Sequence, residues 1–228
     1  MLREFQELLL LPFPDYWFIS KKKKARLQKK LDLKELVLAS KLNITERQIS
    51  QADKYINQIL KWNKTRNLVS RKLRKSDLAE HFLDCAVLQR HLLPGSVIDL
   101  GSGPGFPGIC LGIVDPNREL TLVDSNRKKT SFLMHVKNEL ELNSVSIKYS
   151  RVEQINQINE TNIVCRAFKE PFDLLKSLEN KISKKNKIIL MVSEKETLSI
   201  PGFDIEYKES EASKVLEKKR GFLEIQMS

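Results

Sequence analysis

Cysteine is scarce in this chain and long apolar runs are missing, and both shortages exclude whole classes of protein. The 228 residues include three cysteines, which lie far apart at Cys85, Cys110 and Cys165. That spacing fits neither a disulfide framework nor a zinc site, so we expect a cytoplasmic protein without a bound metal. No stretch reaches the ~18 apolar residues of a membrane-spanning helix. The first residues combine acids with a short leucine run, which argues against a secretory signal.

Internal repeats are also missing, and glycine is rare, with eight residues in the whole chain. Three of these lie within five positions, at Gly101, Gly103 and Gly105. They directly follow Val97–Leu100, an apolar segment interrupted by the carboxylate of Asp99, which predicts a buried strand. Because glycine allows positive φ and lets a ligand approach the main chain, this strand and turn predict a ligand-binding loop.

The spacing within the loop argues against a dinucleotide site. A G-x-G-x-x-G fingerprint counted from Gly101 has Phe106 at its third glycine position. Counted from Gly103, the glycines are present at Gly105 and Gly108, but the match depends on a helix start displaced into the prolines. Pro104 and Pro107 also remove two backbone donors that a pyrophosphate would use. The pattern D-x-G-x-G-x-G over Asp99–Gly105 is instead similar to motif I of the Rossmann-like methyltransferases, which bind S-adenosylmethionine.

Positive charge is concentrated in the first part of the chain. Residues 1–95 carry 20 Lys and Arg against 10 Asp and Glu, whereas residues 96–228 carry 20 against 19. We therefore expect a leader over residues 1–30, a basic helical region over 31–95 and a nearly neutral binding domain over 96–228. The leader is either a contact arm for RNA or membrane, or a disordered segment. The one-sided excess predicts a polyanionic partner, with nucleic acid as the first candidate and an acidic membrane surface as the second.

Hydrophobic periodicity predicts helices in the basic region and an α/β pattern after it. We expect a short helix over 31–42, an amphipathic helix that begins at the capping box Thr45-x-x-Gln48 and ends near residue 63, and a third helix from Ser76, as its cap, to about His91. The predicted strands lie at 97–100, 120–123, 145–147, 162–165, 187–192, 203–208 and 221–226, and helices follow the glycine loop and occupy 126–142 and 171–178. This alternation predicts a doubly wound, mostly parallel sheet.

In such a sheet, residues at the carboxyl ends of successive strands meet at one edge, where ligands bind. After the first strand these are Asp99 and the three glycines, after the second Asp124, after the third Val152–Glu153 and after the fourth Arg166. Asp124 could accept both ribose hydroxyls of an adenosine. Val152 and Glu153 could frame the adenine ring, and Arg166 lies nearest the methionine end and the transferred methyl. The structural alternatives are a helix cap for either aspartate, a surface carboxylate for Glu153 and an ion pair for Arg166.

Local motifs resemble those of the RsmG/GidB family, the bacterial small-subunit rRNA guanine-N7 methyltransferases. The matching stretches are Leu60–Lys64 with Asn67–Leu68, His81–Asp84, Asp99–Gly108, Leu122–Ser125 with Lys128, Arg151–Glu153 and Arg166–Phe168. The resemblance implies a Rossmann-like class I fold that methylates guanine N7 at position 527 in the decoding-region hairpin of 16S rRNA. It implies cofactor contacts at Gly101, Phe106, Val152–Glu153 and Arg166.

The resemblance also places RNA-facing residues. His81, Asn67 and Arg151 match family positions near the mouth of the active site, and Arg220 matches a family arginine. We interpret His81, which would stack on or hydrogen-bond the target base, and Arg166 as catalytic, although His81 could equally cap or pack its own helix. The full set of predicted RNA contacts is Lys61, Lys64, Asn67, Arg71, Lys72, Arg74, Lys75, Arg151 and Arg220. For the lysines and arginines before residue 95, the alternative is a solvated face.

The predicted chemistry needs no nucleophile and no general base. Guanine N7 has a lone pair in the neutral base, so catalysis would consist of positioning. No cysteine follows a proline, as a cytosine-C5 nucleophile would, and we interpret Cys165 as a small buried residue. We expect a monomer that acts on 16S rRNA or the assembling small ribosomal subunit. The alternatives are a methyltransferase for another RNA, a small molecule or a protein, and a non-enzymatic RNA-binding factor that retains the cofactor fold.

Overall fold

The computed structural model describes residues 31–195 and 198–228, so the predicted leader over residues 1–30 lies outside the described residues. Three helices precede the sheet: α1 (Leu33–Ala39), α2 (Glu46–Arg66) and α3 (Lys75–Ala86), which continues as a 3-10 helix over Val87–His91. The strands are β1 (Val97–Leu100), β2 (Leu120–Asp124), β3 (Val145–Tyr149), β4 (Asn162–Arg166), β5 (Lys187–Val192), β6 (Phe203–Glu209) and β7 (Gly221–Met227). Between them lie α4 (Gly108–Val114), α5 (Arg127–Glu139), α6 (Pro171–Leu178) and α7 (Ala212–Leu216), and a 3-10 turn over Val152–Gln154 follows β3.

Helix ends follow local capping chemistry. The predicted capping box of α2 is confirmed, because Thr45 Oγ1 accepts from the Gln48 N–H and Gln48 Oε1 accepts from the Thr45 N–H. The helix ends three residues later than expected, at Arg66, and its C-cap Asn67 adopts the left-handed conformation at φ 51°. The predicted cap at Ser76 is wrong: Asp77 accepts from the backbone N–H of Arg74 at 2.8 Å, so the helix begins at Lys75.

The sheet is mostly parallel, as predicted, with strand order β3-β2-β1-β4-β5-β7-β6. Strands β1 to β5 pair in parallel, and β7 runs antiparallel to both β5 and β6. Within β4 and β5, Cys165 lies opposite Leu190. The five parallel strands therefore present their carboxyl ends at one edge, which is where ligands bind in open α/β sheets.

Alternation along β1 decides which side chains face which layer. Ile98 and Leu100 join a buried cluster with Ile163 and with Leu174 and Leu178 of α6. Because successive residues of a strand point to opposite faces, Asp99 faces the other layer. That layer includes α4, and the α2 side chains of Gln48, Gln51 and Tyr55 donate hydrogen bonds to the backbone carbonyls of Ile113, Leu140 and Pro104. Helix α2 is thereby fixed against the segments around the glycine loop.

Candidate functional site

The glycine turn begins where β1 ends. Gly101, Gly103 and Gly105 all have positive φ, at 72°, 58° and 107°. A Cβ on Gly101 would lie 2.2 Å from Cδ2 of Phe168, so a side chain there would have to displace that ring. At Gly103 the surroundings are open, because among the described residues only the Gly101 carbonyl oxygen at 3.9 Å and Lys129 Nζ at 4.0 Å come within 4 Å of a Cβ. The turn therefore exposes main chain at Gly103, as a ligand-binding loop requires.

At the start of the helix that follows the turn, a backbone N–H donates to a carboxylate of the chain itself. Asp99 is fully buried, and its Oδ2 accepts the N–H of Gly108, the first residue of α4, at 2.9 Å. In dinucleotide-binding folds a pyrophosphate occupies such a helix N-terminus. The structure therefore agrees with the prediction, made from the loop prolines, of a ligand without phosphates. Asp99 lies beneath the turn and positions it, and its direct contact with a cofactor stays a prediction.

Burial leaves Asp99 in an unusual electrostatic state. Desolvation raises the pKa of this carboxyl to about 7, although its hydrogen bonds to Gly108 and Ser102 lower it. Its Oδ1 has no hydrogen-bond partner in the part of the chain that the structure describes. Nearby Asp124 adds a smaller repulsion that also raises the pKa. Asp99 is therefore a candidate for a proton held at neutral pH.

The carboxylate of Asp124 is fixed at the end of β2. Its Oδ2 accepts from the N–H of Gly103 at 2.8 Å, and its Oδ1 accepts from the N–H of Asn126 at 2.7 Å. Each carboxylate oxygen can accept a second hydrogen bond, so two acceptor positions remain. Asp124 thus stands beside the open glycine of the turn with acceptors for a pair of hydroxyls. The rim formed by Asp124 and the open Gly103 accordingly fits the ribose of S-adenosylmethionine.

The segment after β3 reaches towards the segment after β4. Val152 is buried in its 3-10 turn, and the exposed Glu153 forms an ion pair with Lys169 at 2.8 Å. The hydrogen bond from Lys169 lowers the pKa of Glu153. Lys169 also lies 5.5 Å from the ring centroid of Phe168, the side chain that packs on Gly101. The structure thus brings the predicted adenine-framing pair near the glycine turn. Phe168 was not among the predicted site residues.

The two residues predicted to be catalytic are hydrogen-bonded to each other. Arg166 Nη2 donates to His81 Nδ1 at 2.7 Å. Burial, and then the charge of Arg166, lower the pKa of His81 to about 4. The imidazole is therefore neutral near pH 7, and because Nδ1 accepts, its proton lies on Nε2. Both groups contact Phe106, whose ring centroid is 5.8 Å from the His81 ring and 5.6 Å from the Arg166 guanidinium carbon.

Tyr55 of α2 completes this cluster and was missed by sequence reasoning. Its ring lies 5.4 Å from that of Phe106, and its hydroxyl donates to the carbonyl of Pro104 at 2.9 Å. Burial raises the pKa of Tyr55, so the hydroxyl keeps its proton and remains a donor. Its place on the apolar face of α2, directly before Ile56, was the available signal. Phe106, a predicted cofactor contact, is 6 % exposed. Its ring packs against Tyr55 of α2 and His81 of α3, so it joins the glycine loop to both helices.

A cleft of about 380 Å³ opens beside Arg166, at the carboxyl ends of β4 and β5. It is lined by Asp84, Cys165, Arg166, Ala167, Lys169, Glu170, Pro171, Leu190, Met191, Val192, Ser193 and Arg220. Asp84 lies between two cations, with its Oδ2 3.8 Å from Arg166 Nη2 and 3.5 Å from Arg220 Nε. In the sequence, Asp84 stood out only as the last residue of the motif His81–Asp84. Arg220 was predicted as an RNA contact, and the structure places it in the cleft.

The cysteines carry no reactive group at this site. Cys85, Cys110 and Cys165 are all buried and unpaired by disulfides. Burial raises the thiol pKa of Cys110 and of Cys165, which disfavours the reactive thiolate. The interpretation of Cys165 as a small buried residue is confirmed, since it is 3 % exposed.

The predicted RNA-binding residues differ in whether their side chains already bind another residue of the chain. Arg71 donates to Asn67, Arg74 pairs with Asp77, and Lys75 pairs with Asp53. Those with exposed side chains and no ion pair within residues 31–195 and 198–228 are Lys61, Lys64, Arg71, Lys72 and Arg151. Asn67 is the left-handed residue that ends α2, which gives it a structural role whether or not it meets RNA.

Among the described residues, no group of three or more histidine, cysteine, aspartate or glutamate side chains is arranged to hold a metal ion. None of the helices in that part of the chain is both long and apolar enough to cross a membrane.

Solved structures share this architecture. A mutant of MtNAS crystallised with S-adenosylmethionine superposes with a TM-score of 0.55 and 15% identity, over 88% of this chain and 86% of that one. The mitomycin 7-O-methyltransferase MmcR superposes with a TM-score of 0.54 and 8% identity, over 68% and 56%. At such identities the likeness shows the fold alone. Together with the strand order and the glycine turn, it defines a Rossmann-like fold of the S-adenosylmethionine-dependent methyltransferase class.

Sequence comparison narrows the class to one family. The family model described as rRNA small subunit methyltransferase G matches residues 48–221, and the chain belongs to this family. A ribosomal RNA small subunit methyltransferase G of Nitrosomonas europaea is 42% identical over 116 residues, which cover 50% of this chain and 54% of the relative. One from Haemophilus ducreyi is 36% identical over 149 residues, covering 65% and 72%. The match thus spans about half of the first relative and more of the second, and the predicted family resemblance is confirmed.

Proposed function

We propose that the protein transfers a methyl group from S-adenosylmethionine to guanine N7 at position 527 of 16S rRNA. The observation that carries the proposal is the rim formed by Asp124 and the open Gly103, in a chain that belongs to a family of rRNA methyltransferases. When bound, S-adenosylmethionine would supply the electrophilic methyl group.

The rim residues divide the work of holding the cofactor. Asp124 accepts the two ribose hydroxyls, using the acceptor positions that Gly103 and Asn126 leave unused. Val152 and Glu153 flank the adenine through the backbone and side chain of the turn after β3. Asp99 supports the loop from below through Gly108. Arg166, at the end of β4, faces the methionine portion.

The proposed chemistry relies on placement. Neutral guanine already has a lone pair on N7, so no proton has to be removed for the methyl to be transferred. A neutral His81, fixed by its hydrogen bond from Arg166, can donate from Nε2 or stack on a base without adding a positive charge of its own. The product base is cationic, and a neutral imidazole tolerates it better than an imidazolium would. Alignment of N7 with the methyl carbon then supplies the main rate gain.

The basic surface before residue 95 would contact the RNA backbone. Lys61, Lys64 and Lys72 are exposed and have no ion pair among the described residues, so they can neutralise phosphates without breaking existing contacts. We further propose that the protein acts in the cytoplasm as a monomer, on 16S rRNA or the assembling small subunit, and needs no metal.

The gene's deletion tests the proposed function. 16S rRNA from the deletion strain is treated with borohydride and aniline, which cleave at N7-methylguanosine, and the cut at position 527 is mapped by primer extension. We expect the cut to be lost and to return with a plasmid copy of the gene. A plasmid copy carrying Asp124→Ala should not restore it. Persistence of the cut in the deletion strain would contradict the proposal, provided that no second enzyme of the family is encoded.

A further inference from the structure

A buried carboxylate with unused acceptor positions lines the cleft beside Arg166. Asp84 is 4 % exposed, and both of its ion-pair contacts, 3.8 Å and 3.5 Å long, fall on Oδ2. These distances exceed those of good N–H···O hydrogen bonds. Only burial and the charges of the two arginines, and no hydrogen bond among the described residues, act on this carboxylate. Because Asp84 lines the cleft, its oxygens can accept hydrogen bonds from a ligand held there.

Two guanidinium groups lie beside this carboxylate. Burial raises the pKa of Asp84 above its usual value, and the charges of Arg166 and Arg220 offset part of that rise. Arg166 is itself fixed by His81, and Arg220 Nη1 donates to the carbonyl of Lys219 at 2.8 Å. Asp84 thus presents an oriented carboxylate towards the cleft, with Arg166 at the end of β4 and Arg220 directly before β7 beside it.

We propose that the cleft is the pocket for the target base and that Asp84 reads the Watson–Crick edge of guanine. This inference rests on the proposed function. Guanine presents two adjacent donors on that edge, N1–H and the N2 amino group, which match the two oxygens of a carboxylate. Adenine and cytosine place a ring acceptor beside a single amino donor, and uracil offers one donor between two carbonyls. The same carboxylate therefore accepts guanine and repels the other three bases.

The placement of the cleft agrees with that role. It lies next to Arg166, which also contacts Phe106 of the glycine turn, so base and cofactor pockets would adjoin. Its volume of about 380 Å³ falls in the range of small-ligand pockets. Pro171, Leu190 and Val192 give the lining apolar surface against which a flipped base can pack. N7 lies on the Hoogsteen edge, away from the N1–H and N2 amino groups that Asp84 would hold, so it stays free for methyl transfer.

Inosine separates this recognition from general RNA binding. It keeps N1–H and N7 but lacks the N2 amino group. With the wild-type protein, we expect inosine at position 527 of a 16S rRNA fragment to lower kcat/KM about ten- to a hundredfold relative to guanosine. With Asp84→Asn, guanosine methylation should fall, and the loss on going from guanosine to inosine should shrink to about threefold or less. Asp173→Asn, an exposed carboxylate of α6 outside the cleft, is the matched control and should keep the wild-type ratio.

The outcomes distinguish the pocket from the proposed function. Equal rates on guanosine and inosine with the wild-type protein, or an inosine loss unchanged in Asp84→Asn, would overturn the pocket while leaving the methyltransferase in place. No methylation of the guanosine RNA would overturn the proposed function itself. Binding of S-adenosylhomocysteine by Asp84→Asn shows whether the variant is folded. If it is not, the wild-type comparison decides alone, with N1-methylguanosine as a second substrate that should also react poorly.

Discussion

Replacing Asp124 should nearly abolish cofactor binding. The carboxylate receives hydrogen bonds at 2.8 Å and 2.7 Å from the backbone of Gly103 and Asn126, and we assign its other two acceptor positions to the ribose hydroxyls. A hydrogen bond to a charged group contributes about 1.5–3 kcal/mol. Losing two of them in Asp124→Ala costs about 3 kcal/mol or more, which corresponds to at least about a hundredfold rise in Kd. Loosening of Gly103 adds to this loss.

The variant Asp124→Asn keeps the size of the side chain and changes its hydrogen bonding. In Asp124→Asn one end of the side chain becomes an amide donor that faces a backbone N–H, so the turn must shift, and we expect about a tenfold or greater rise in Kd. Asp115→Asn is the matched control, because that carboxylate pairs with Arg118 after α4, away from the rim. Calorimetry with S-adenosylhomocysteine measures all three variants. Binding by Asp124→Asn within about threefold of the wild type would refute the assigned role.

Three further predictions concern charge. Because the pKa of His81 is about 4, the rate of methyl transfer should show no inflection from this residue between about pH 5.5 and 7.5; an inflection near pH 6.5 that vanishes in His81→Asn would contradict its neutrality. Changing Lys61, Lys64 and Lys72 to Glu should weaken RNA binding and reduce the slope of log affinity against log salt by about 2–3, while binding of S-adenosylhomocysteine stays unchanged; equal loss of both ligands would contradict the division of roles. Asp99 holds its proton more tightly when folded, so its contribution to stability is complete below about pH 4 and lost as the pH rises to about 7; the free energy of unfolding should fall by about 3 kcal/mol between pH 5 and 8, a fall that urea titration should find reduced in Asp99→Asn, and an unchanged slope would refute the raised pKa.

The sequence was sufficient for the parts of the fold that depend on local pattern. Thr45 and Gln48 predicted their own capping box, and Pro171 predicted the start of α6, because capping and proline act within a few residues. The extra turn of α2 and the short helix α7 were not predicted. Asn67 ends its helix through a backbone conformation that composition does not reveal, and α7 is only five residues long.

In the candidate site, too, positions set by local pattern could be predicted and contacts set by tertiary packing could not. Strand-end positions placed Asp124 and Arg166 at the sheet edge because β-sheet topology is regular. Contacts between distant segments were out of reach: the bond of Arg166 to His81 spans 85 positions, and the approach of Arg220 to Asp84 depends on β7 lying beside β5. Such pairings follow from tertiary packing, so only the structure could show that Asp84 lies in a cleft between two arginines.

The central claim is transfer of one methyl group to one guanine, and its most direct test is a transfer reaction in vitro. Purified protein is incubated with deuterium-labelled S-adenosylmethionine and 16S rRNA that lacks its own methylation, and the RNA is digested for mass spectrometry of the fragments. We predict a single labelled N7-methylguanosine, at position 527. Label on another nucleotide, at another position, or absent from RNA while the protein binds S-adenosylhomocysteine, would contradict the account.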